Sequence, residues 1–204
     1  MHWIWGLVSI ATAGSVYARA RTAANEIFLT FDDGPDPKHT PRLLELLSRH
    51  KVPATFFLVG SRAEEHGSVV RDIVAAGHAL GNHSFNHPRF DRSSLRIQAE
   101  EISRTDALLS RYDGRARHPV RPPHGRATFG TILLCAWRRQ RIALWNRDSL
   151  DFKLDSAAVV ERFRIAPVKP GDILLFHDDS GISMDALGQL IPRWQESGLK
   201  FSTL

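Results

Sequence analysis

The sequence contains few cysteine and methionine residues, and no segment has a composition unusual for a globular domain. Cys135 is the only cysteine among 204 residues, so no internal disulfide can form. Because Cys135 lies in the apolar stretch 132–136, we expect it to be a small buried core side chain and not a catalytic nucleophile. No low-complexity tract and no long internal repeat is visible, which argues against linker-rich and repeat proteins. The length favours one domain with a proper core.

Acidic residues are in the minority, and most of the positive charge is arginine. The formal net charge is +5 and the sequence pI is about 9.9. Such a chain could bind nucleic acid or an anionic envelope polymer. However, the arginines are scattered and no aromatic-rich nucleic-acid motif accompanies them, so a solvated basic surface and no nucleic-acid partner are predicted. The tightest group is Arg138, Arg139 and Arg141, at the end of a helix predicted over 129–140.

The chain also lacks a long apolar run. The mostly apolar stretch 3–13 is too short to span a bilayer as an ordinary helix, so no stable membrane span is predicted. It has the length of a signal-peptide core, and Ala18-Arg19-Ala20 resembles a cleavage pattern, but no Lys or Arg precedes it. Two outcomes stay open. Either residues 1–24 contain a signal peptide, the protein is exported or periplasmic and its mature form begins near Arg21, or they are a frayed or mispredicted start outside a domain over 25–204 and the protein is cytoplasmic.

Strand and helix patterns alternate along the rest of the chain. The strands expected from β-forming residues are 26–31, 54–59, 78–81, 142–145, 173–176 and 200–203. Between them, helical periodicity is visible, and Ser93 or Ser94 can cap the helix that runs through Leu109. This alternation is typical of an α/β fold with βα units around a mostly parallel sheet or barrel. Whether the sheet closes cannot be read from one sequence.

Ionisable side chains recur where these strands end. The clusters are Asp32 with Asp33, His83 with His87, Asp148 with Asp151, His177 with Asp178, and an arginine, Arg121, beside two prolines. Each has an ordinary explanation: a turn, two hydrogen-bonded histidines, loop or cap acids, a core histidine and a surface arginine. Their joint occurrence favours a site, because ligands of α/β folds bind at the carboxyl ends of parallel strands.

These residue types indicate a reaction. Two histidines and one carboxylate form a familiar ligand set for a catalytic zinc ion with an open position. One aspartate of the adjacent pair could bind the metal while the other serves as a base toward water. A histidine on the opposite side could protonate a leaving nitrogen. The residues therefore point to metal-dependent hydrolysis of an amide.

The sequence resembles the polysaccharide deacetylases with a NodB-homology domain. The resemblance rests on five segments in the family's order: 30–35 (TFDDGP), 81–88 (GNHSFNHP), 121–125 (RPPHG), 148–152 (DSLDF) and 174–178 (LLFHD). It covers about 25–204, and the first two segments together are highly specific. It implies an irregular (β/α) barrel of the polysaccharide deacetylase type.

The resemblance also implies a metal site and a base. Asp33, His83 and His87 would hold a divalent metal, with zinc as the expected ion. Asp32 would be the general base. Arg121 would hold Asp32 in place and keep it charged by ion pairing.

Five further residues receive roles from the same resemblance. His177 would be the general acid, oriented by Asp151. The backbone N–H of His124 would help to stabilise the oxyanion, although the family commonly has tyrosine there. Leu175 would line the pocket for the acetyl methyl, and Phe152 would form an aromatic wall where tryptophan is usual.

The expected substrate is an N-acetylglucosamine oligomer or a cell-wall glycan, and the expected state is a monomer. The chain most resembles short bacterial chitooligosaccharide deacetylases, with peptidoglycan deacetylases close behind. A deformylase or amidase acting on a small non-sugar amide is the alternative enzyme. A carbohydrate-binding protein without activity is disfavoured because all of the acid, base and ligand residues are present.

Overall fold

Strands and helices alternate along residues 16–204, the part of the chain that the computed structural model describes. The strands are β1 (Val16–Tyr17), β2 (Glu26–Asp32), β3 (Thr55–Leu58), β4 (Ala79–Asn82), β5 (Ile142–Ala143), β6 (Arg147–Asp148), β7 (Ile173–His177) and β8 (Lys200–Ser202). The helices are α1 (His39–His50), α2 (Gly60–Glu65), α3 (Gly67–Ala75), α4 (Leu95–Asp113), α5 (Phe129–Trp137), α6 (Ser156–Ile165) and α7 (Gly181–Glu196). Short 3-10 turns lie at Phe90–Arg92 and Pro123–Gly125.

The strands form a parallel sheet that curves into an irregular barrel. The order β4-β3-β2-β7-β6 is continuous, and β8 pairs with the first residues of β2. Val120 bridges β4 and β5 through Asn82 and Ile142, and the chain from β5 runs on into β6 beside β7. These pairings connect both edges of the sheet, and they confirm the predicted α/β barrel.

Side-chain alternation along the strands separates the helix-facing core from the barrel interior. Phe31 stacks on Phe56 at 5.0 Å and packs near Phe176 at 6.3 Å, within the hydrophobic core that the helices cover. Residues one position away face the other side, because strand side chains alternate. Gly81 makes room there: a Cβ at this position would lie 2.4 Å from the Phe57 ring.

Residues 16–24, which the sequence assigned to an N-terminal segment, contact the domain. Val16 is buried and β1 pairs with β5, while Arg19 forms an ion pair with Asp172. The predicted cleavage point after Ala20 thus follows a strand of the fold; cleavage and the boundary at residue 25 stay predictions. The apolar stretch 3–13 lies outside the described residues. None of the helices described here is both long and apolar enough to cross a bilayer.

The burial of His78 should make the unfolding free energy of the protein depend on pH. It is buried ahead of β4, its Nδ1 accepts the Ala54 N–H at 3.2 Å, and burial lowers its pKa to about 4. Since this folded pKa lies below the unfolded value of 6.5, the neutral ring stabilises the fold above pH 6.5, and that contribution is lost as pH falls toward 4. We expect this histidine to remove about 1 to 2 kcal/mol of unfolding free energy between pH 7.5 and 5.

Urea unfolding at both pH values would measure that loss. His78→Gln should show a smaller difference between the two pH values than the wild type. His50→Gln, a half-buried histidine at the end of α1, should retain the full difference. Equal pH dependence in wild type and His78→Gln would contradict the assignment.

Candidate active site

The clusters predicted from the strand ends meet at the carboxyl end of the barrel. Asp32 ends β2, and in the parallel pairing it is registered with His177 at the end of β7. His83 directly follows β4. Arg121 follows the bridge residue Val120 and is fully buried. The barrel therefore brings the adjacent aspartates, the two histidines and the arginine into one cluster of side chains.

Asp33, His83 and His87 form a compact set of potential metal ligands. One ligand atom from each lies within 4.8 Å of the others. Asp33 Oδ1 is 3.4 Å from His83 Nε2 and 3.1 Å from His87 Nε2. His83 Nδ1 lies 2.7 Å from the Arg121 carbonyl oxygen, so Nδ1–H donates to that carbonyl and the Nε2 lone pair faces the cluster. This donor set fits a divalent transition metal.

The electrostatics of the cluster agree with cation binding. Burial alone would raise the pKa of Asp33, but the contacts with His83 and His87 outweigh it and hold that pKa well below its usual range. Burial would likewise lower the pKa of His83, yet the charges of Asp32 and Asp33 raise it. His83 thus lies in a field that favours positive charge, and a bound cation would use the same field.

Asp32 is held by a buried arginine. Arg121 Nη1 donates to Asp32 Oδ1 at 2.7 Å and to Thr30 Oγ1 at 2.8 Å. The rest of the guanidinium donates to the Ala143 and Leu144 carbonyls and lies 3.9 Å above the Phe57 ring. Because these acceptors and the Phe57 ring hold the guanidinium in place, the Asp32 carboxylate has one fixed orientation. Its Oδ2 lies 3.7 Å from His83 Nε2.

His177 lies beside the same cluster and is paired with Asp151. Its Nδ1 is 2.7 Å from Asp151 Oδ1, and its backbone N–H donates to Asp151 Oδ2 at 2.8 Å. The Ser183 hydroxyl also donates to that carboxylate. Burial would lower the pKa of His177, but the hydrogen bond and charge of Asp151 raise it to about 9. His177 Nε2 therefore carries a proton at neutral pH and lies 3.9 Å from Asp33.

The three residues predicted to touch substrate are neighbours of these groups. His124 is exposed in its 3-10 turn, with its ring 4.7 Å from that of His87. Burial and the nearby charges of His87 and Arg89 lower the pKa of His124. Phe152 is 57% exposed and meets the His177 ring edge-on at 5.5 Å. Leu175 is buried two residues before His177, so both side chains face the barrel interior.

Three of these residues have left-handed backbone conformations. The φ angles are 72° at Asp33, 56° at His87 and 57° at His124. A residue with a Cβ is destabilised by roughly 1 kcal/mol or more in the left-handed region, so the surrounding contacts must stabilise each loop. Arg62 supplies one such contact by donating to the Asp33 carbonyl at 2.7 Å.

Helix α4 holds the loop between the two metal-site histidines. The sequence patterns did not predict this role of the helix. Glu101 Oε2 accepts the backbone N–H groups of Phe85 and Asn86 at 2.8 and 2.6 Å. Asn82, just before His83, donates to Asp106 at 2.9 Å. Neither acid gives a local signal, because both lie in an ordinary amphipathic helix. Thr30 could have been found, since it precedes Asp32 by two residues on the same strand face.

Glu101→Ala is expected to weaken divalent-metal affinity by about 10- to 100-fold, the usual effect of removing groups that position metal ligands. Two loop N–H groups would lose their acceptor, and the separation of His83 and His87 would no longer be fixed. Zinc affinity measured by chelator competition would test this. Glu100→Ala, an exposed neighbour on the same helix, is the control and should bind zinc as the wild type does. Unchanged zinc affinity in Glu101→Ala would contradict the expectation.

Sequence and structure comparisons give a consistent result. A sequence profile described as polysaccharide deacetylase matches residues 19–134. The peptidoglycan-N-acetylglucosamine deacetylase of Bacillus cereus is 35% identical over 183 residues, covering 88% of this chain and 66% of that protein, just under two thirds. The chitooligosaccharide deacetylase of Sinorhizobium fredii is 30% identical over 201 residues, covering 91% of this chain and 93% of that protein.

A solved structure matches over almost the whole chain. It is a peptidoglycan N-acetylglucosamine deacetylase in complex with a naphthalenyl N-oxidanyl-benzamide. The TM-score is 0.91 at 31% sequence identity, and the match covers 98% of this chain and 95% of the other. The similarity thus extends to both sequence and fold.

Proposed function

Because the chain belongs to the polysaccharide deacetylase family, we propose that it hydrolyses the N-acetyl groups of N-acetylglucosamine residues in a glycan. The observation that supports this proposal best is the arrangement of opposed proton-transfer groups around one ligand cluster. Asp32 and His177 are registered on neighbouring strands, and the Asp33–His83–His87 cluster lies against both.

The metal ligands would be Asp33, His83 and His87, and zinc is the ion proposed. A divalent cation at this site would supply a Lewis acid that polarises the acetyl carbonyl. The chain contributes the fixed orientation of the ligands, with His83 set by the Arg121 carbonyl. The backbone N–H of His124 is proposed as a second electrostatic partner of the developing oxyanion.

Asp32 is proposed to accept the proton of the attacking water. Its Oδ1 is occupied by Arg121, which leaves Oδ2 facing the cluster. The ion pair keeps the carboxylate in one rotamer while the proton moves. Thr30 shares the same guanidinium nitrogen and so fixes Arg121 in turn.

His177 is proposed to give its Nε2 proton to the departing amine, which is a poor leaving group as an anion. Asp151 stabilises the imidazolium before the transfer. The overall reaction consumes one water and yields acetate and a free amino sugar. Phe152 and Leu175 would bind the sugar face and the acetyl methyl on either side of the reacting carbon.

The sugar unit proposed is N-acetylglucosamine, because the relatives named above act on glycans that their names place with peptidoglycan and chitooligosaccharides. Short chitooligosaccharides are the simplest substrates to expect, and peptidoglycan fragments are the parallel case. The exposed Phe152 beside His177 gives a stacking surface suited to either.

Acetate release by the purified protein with added zinc would test the proposal. We expect acetate from chitin oligomers, peptidoglycan fragments or both, and none from small non-sugar amides assayed in parallel. Asp32→Asn protein is the matched control for contaminating activity. Hydrolysis confined to small amides, or release of formate instead of acetate, would overturn the assignment of a sugar substrate.

A further inference from the structure

Helix α5 exposes an apolar face that the active site does not use. Phe129, Leu133 and Trp137 are 74%, 52% and 82% exposed. They are spaced by four residues, so they lie on one side of the helix along roughly 12 Å of its axis. The opposite side carries the buried residues Ile132 and Cys135. An aromatic, leucine-containing face of this kind is costly to leave in water.

The sequence around this helix carries positive charge only. Residues 114–147 contain eight arginines and no aspartate or glutamate. Three of these arginines are paired with acids elsewhere in the fold. The others are exposed and have no carboxylate partner among the described residues; they are Arg115, Arg117, Arg126, Arg139 and Arg141. Charge and exposed apolar surface therefore coincide in one part of the sequence.

We propose that the α5 face docks on an anionic lipid bilayer. The α5 face consists of Phe129, Leu133 and Trp137 together with the flanking residues Arg126, Arg139 and Arg141. Tryptophan, phenylalanine and leucine partition into the interfacial region of a bilayer, and arginines are attracted to anionic headgroups. The apolar side chains would enter the headgroup boundary. The arginines that precede and follow the helix would lie at the level of the phosphates.

The chain path supports a membrane as the occupant. The mostly apolar sequence 3–13 shortly precedes Val16, which pairs with Ile142 directly after Arg141. Arg141 itself lies 4.2 Å above the Tyr17 ring. The first described residues of the chain, Val16 and Tyr17, thus lie beside the arginines that follow α5.

A second copy of the chain is a poor occupant of this face. In a two-fold interface each patch meets itself, so the arginines of one copy would face those of the other. No acidic residue in 114–147 is available to compensate. An anionic bilayer satisfies both the charge and the apolar surface.

Insertion can be followed with a fluorophore on the full chain. Leu133→Cys would be labelled with an environment-sensitive NBD group. The native Cys135 is buried and burial raises the pKa of its thiol to about 12, so labelling should be confined to the new cysteine. Ile165→Cys is the matched control, because Ile165 is 70% exposed on α6, away from the α5 face.

Vesicles of equal parts phosphatidylglycerol and phosphatidylcholine should blue-shift and brighten NBD at position 133 but not at 165. Pure phosphatidylcholine vesicles should give a much smaller response. An unchanged signal at position 133 would overturn the proposal even if the chain sediments with vesicles, since other segments would then be responsible. A change that depends on protein concentration without vesicles would also overturn it, by pointing to a second copy.

Two sets of substitutions separate the apolar and charged contributions. Phe129→Ala/Trp137→Ala should lower partitioning onto the anionic vesicles at least about tenfold. Arg139→Gln and Arg141→Gln should each lower it about fivefold, whereas Arg193→Gln on α7 should not. All variants should deacetylate a soluble oligomer at the wild-type rate. Loss only in the arginine variants would show electrostatic adsorption without insertion of the apolar face and would overturn the proposal.

Discussion

Asp33→Ala is expected to lose divalent-metal binding and turnover together, whereas Asp32→Asn should keep its metal and lose turnover by about two to four orders of magnitude. Asp33 Oδ1 contacts both histidines of the cluster, so its removal leaves only two of the three ligands. The oxygen of Asp32 that faces the cluster lies 3.7 Å from His83, and its other oxygen is committed to Arg121. The adjacent aspartates should therefore have separable effects.

Metal content by elemental analysis, zinc affinity and kcat would be measured on the same preparations. Asp32→Asn leaves Arg121 buried without its counter-charge, which should cost about 3 to 5 kcal/mol of unfolding stability. Assays must therefore be run at temperatures where circular dichroism shows the variant folded. Asp148→Asn is the control, because Asp148 ends β6 outside the cluster and, among the described residues, its carboxylate accepts only the loop N–H of Leu150. Equal loss of metal from Asp32→Asn and Asp33→Ala would refute the division of roles.

His177→Ala is expected to lower turnover by about two to four orders of magnitude, as removal of a positioned acid does. The pH profile of kcat/KM should be bell-shaped. The pKa of His177 is raised to about 9, so the acid is protonated below that pH and activity should fall as pH rises through the upper limb. Coupling with neighbouring groups makes that limb a property of the site rather than of one residue.

Asp151→Asn should move the upper limb to lower pH. The imidazolium would lose the anion that raises its pKa, and the neutral ring would form earlier in a titration. Asp179→Asn, a substitution at an exposed neighbour of this motif, should leave the limb in place. The assignment would fail if Asp151→Asn had an unshifted limb and His177→Ala kept near-normal rates. His124, whose ring lies beside His87, would then be the next acid to examine.

The parts of the fold that could be predicted from the sequence are those in which neighbouring residues form a recognisable pattern. β2, β3 and β7 are runs of buried β-forming residues, and the chemistry-bearing residues follow them at once. In a parallel sheet, strand ends share one edge, so Asp32 and His177 could be placed together without coordinates. Ser94 was one of two predicted caps, and its hydroxyl accepts the Ile97 N–H.

Barrel closure depends on elements too short to leave a pattern. β5 and β6 have two residues each, and Val120 contributes only isolated bridges. Closure is nevertheless what buries Arg121 against the Ala143 and Leu144 carbonyls. The helix predicted over 129–140 ends at Trp137, because Arg139 has a φ of 55°. Long-range contacts such as Ser183 to Asp151 likewise link residues that are 32 positions apart and show no shared motif.

The left-handed conformations at Asp33, His87 and His124 have an evolutionary consequence. Glycine would occupy each of these backbone positions without the steric penalty that the present side chains carry. A descendant freed from selection on catalysis could therefore gain stability by exchanging these positions, while most buried residues of the sheet would still be under selection for folding.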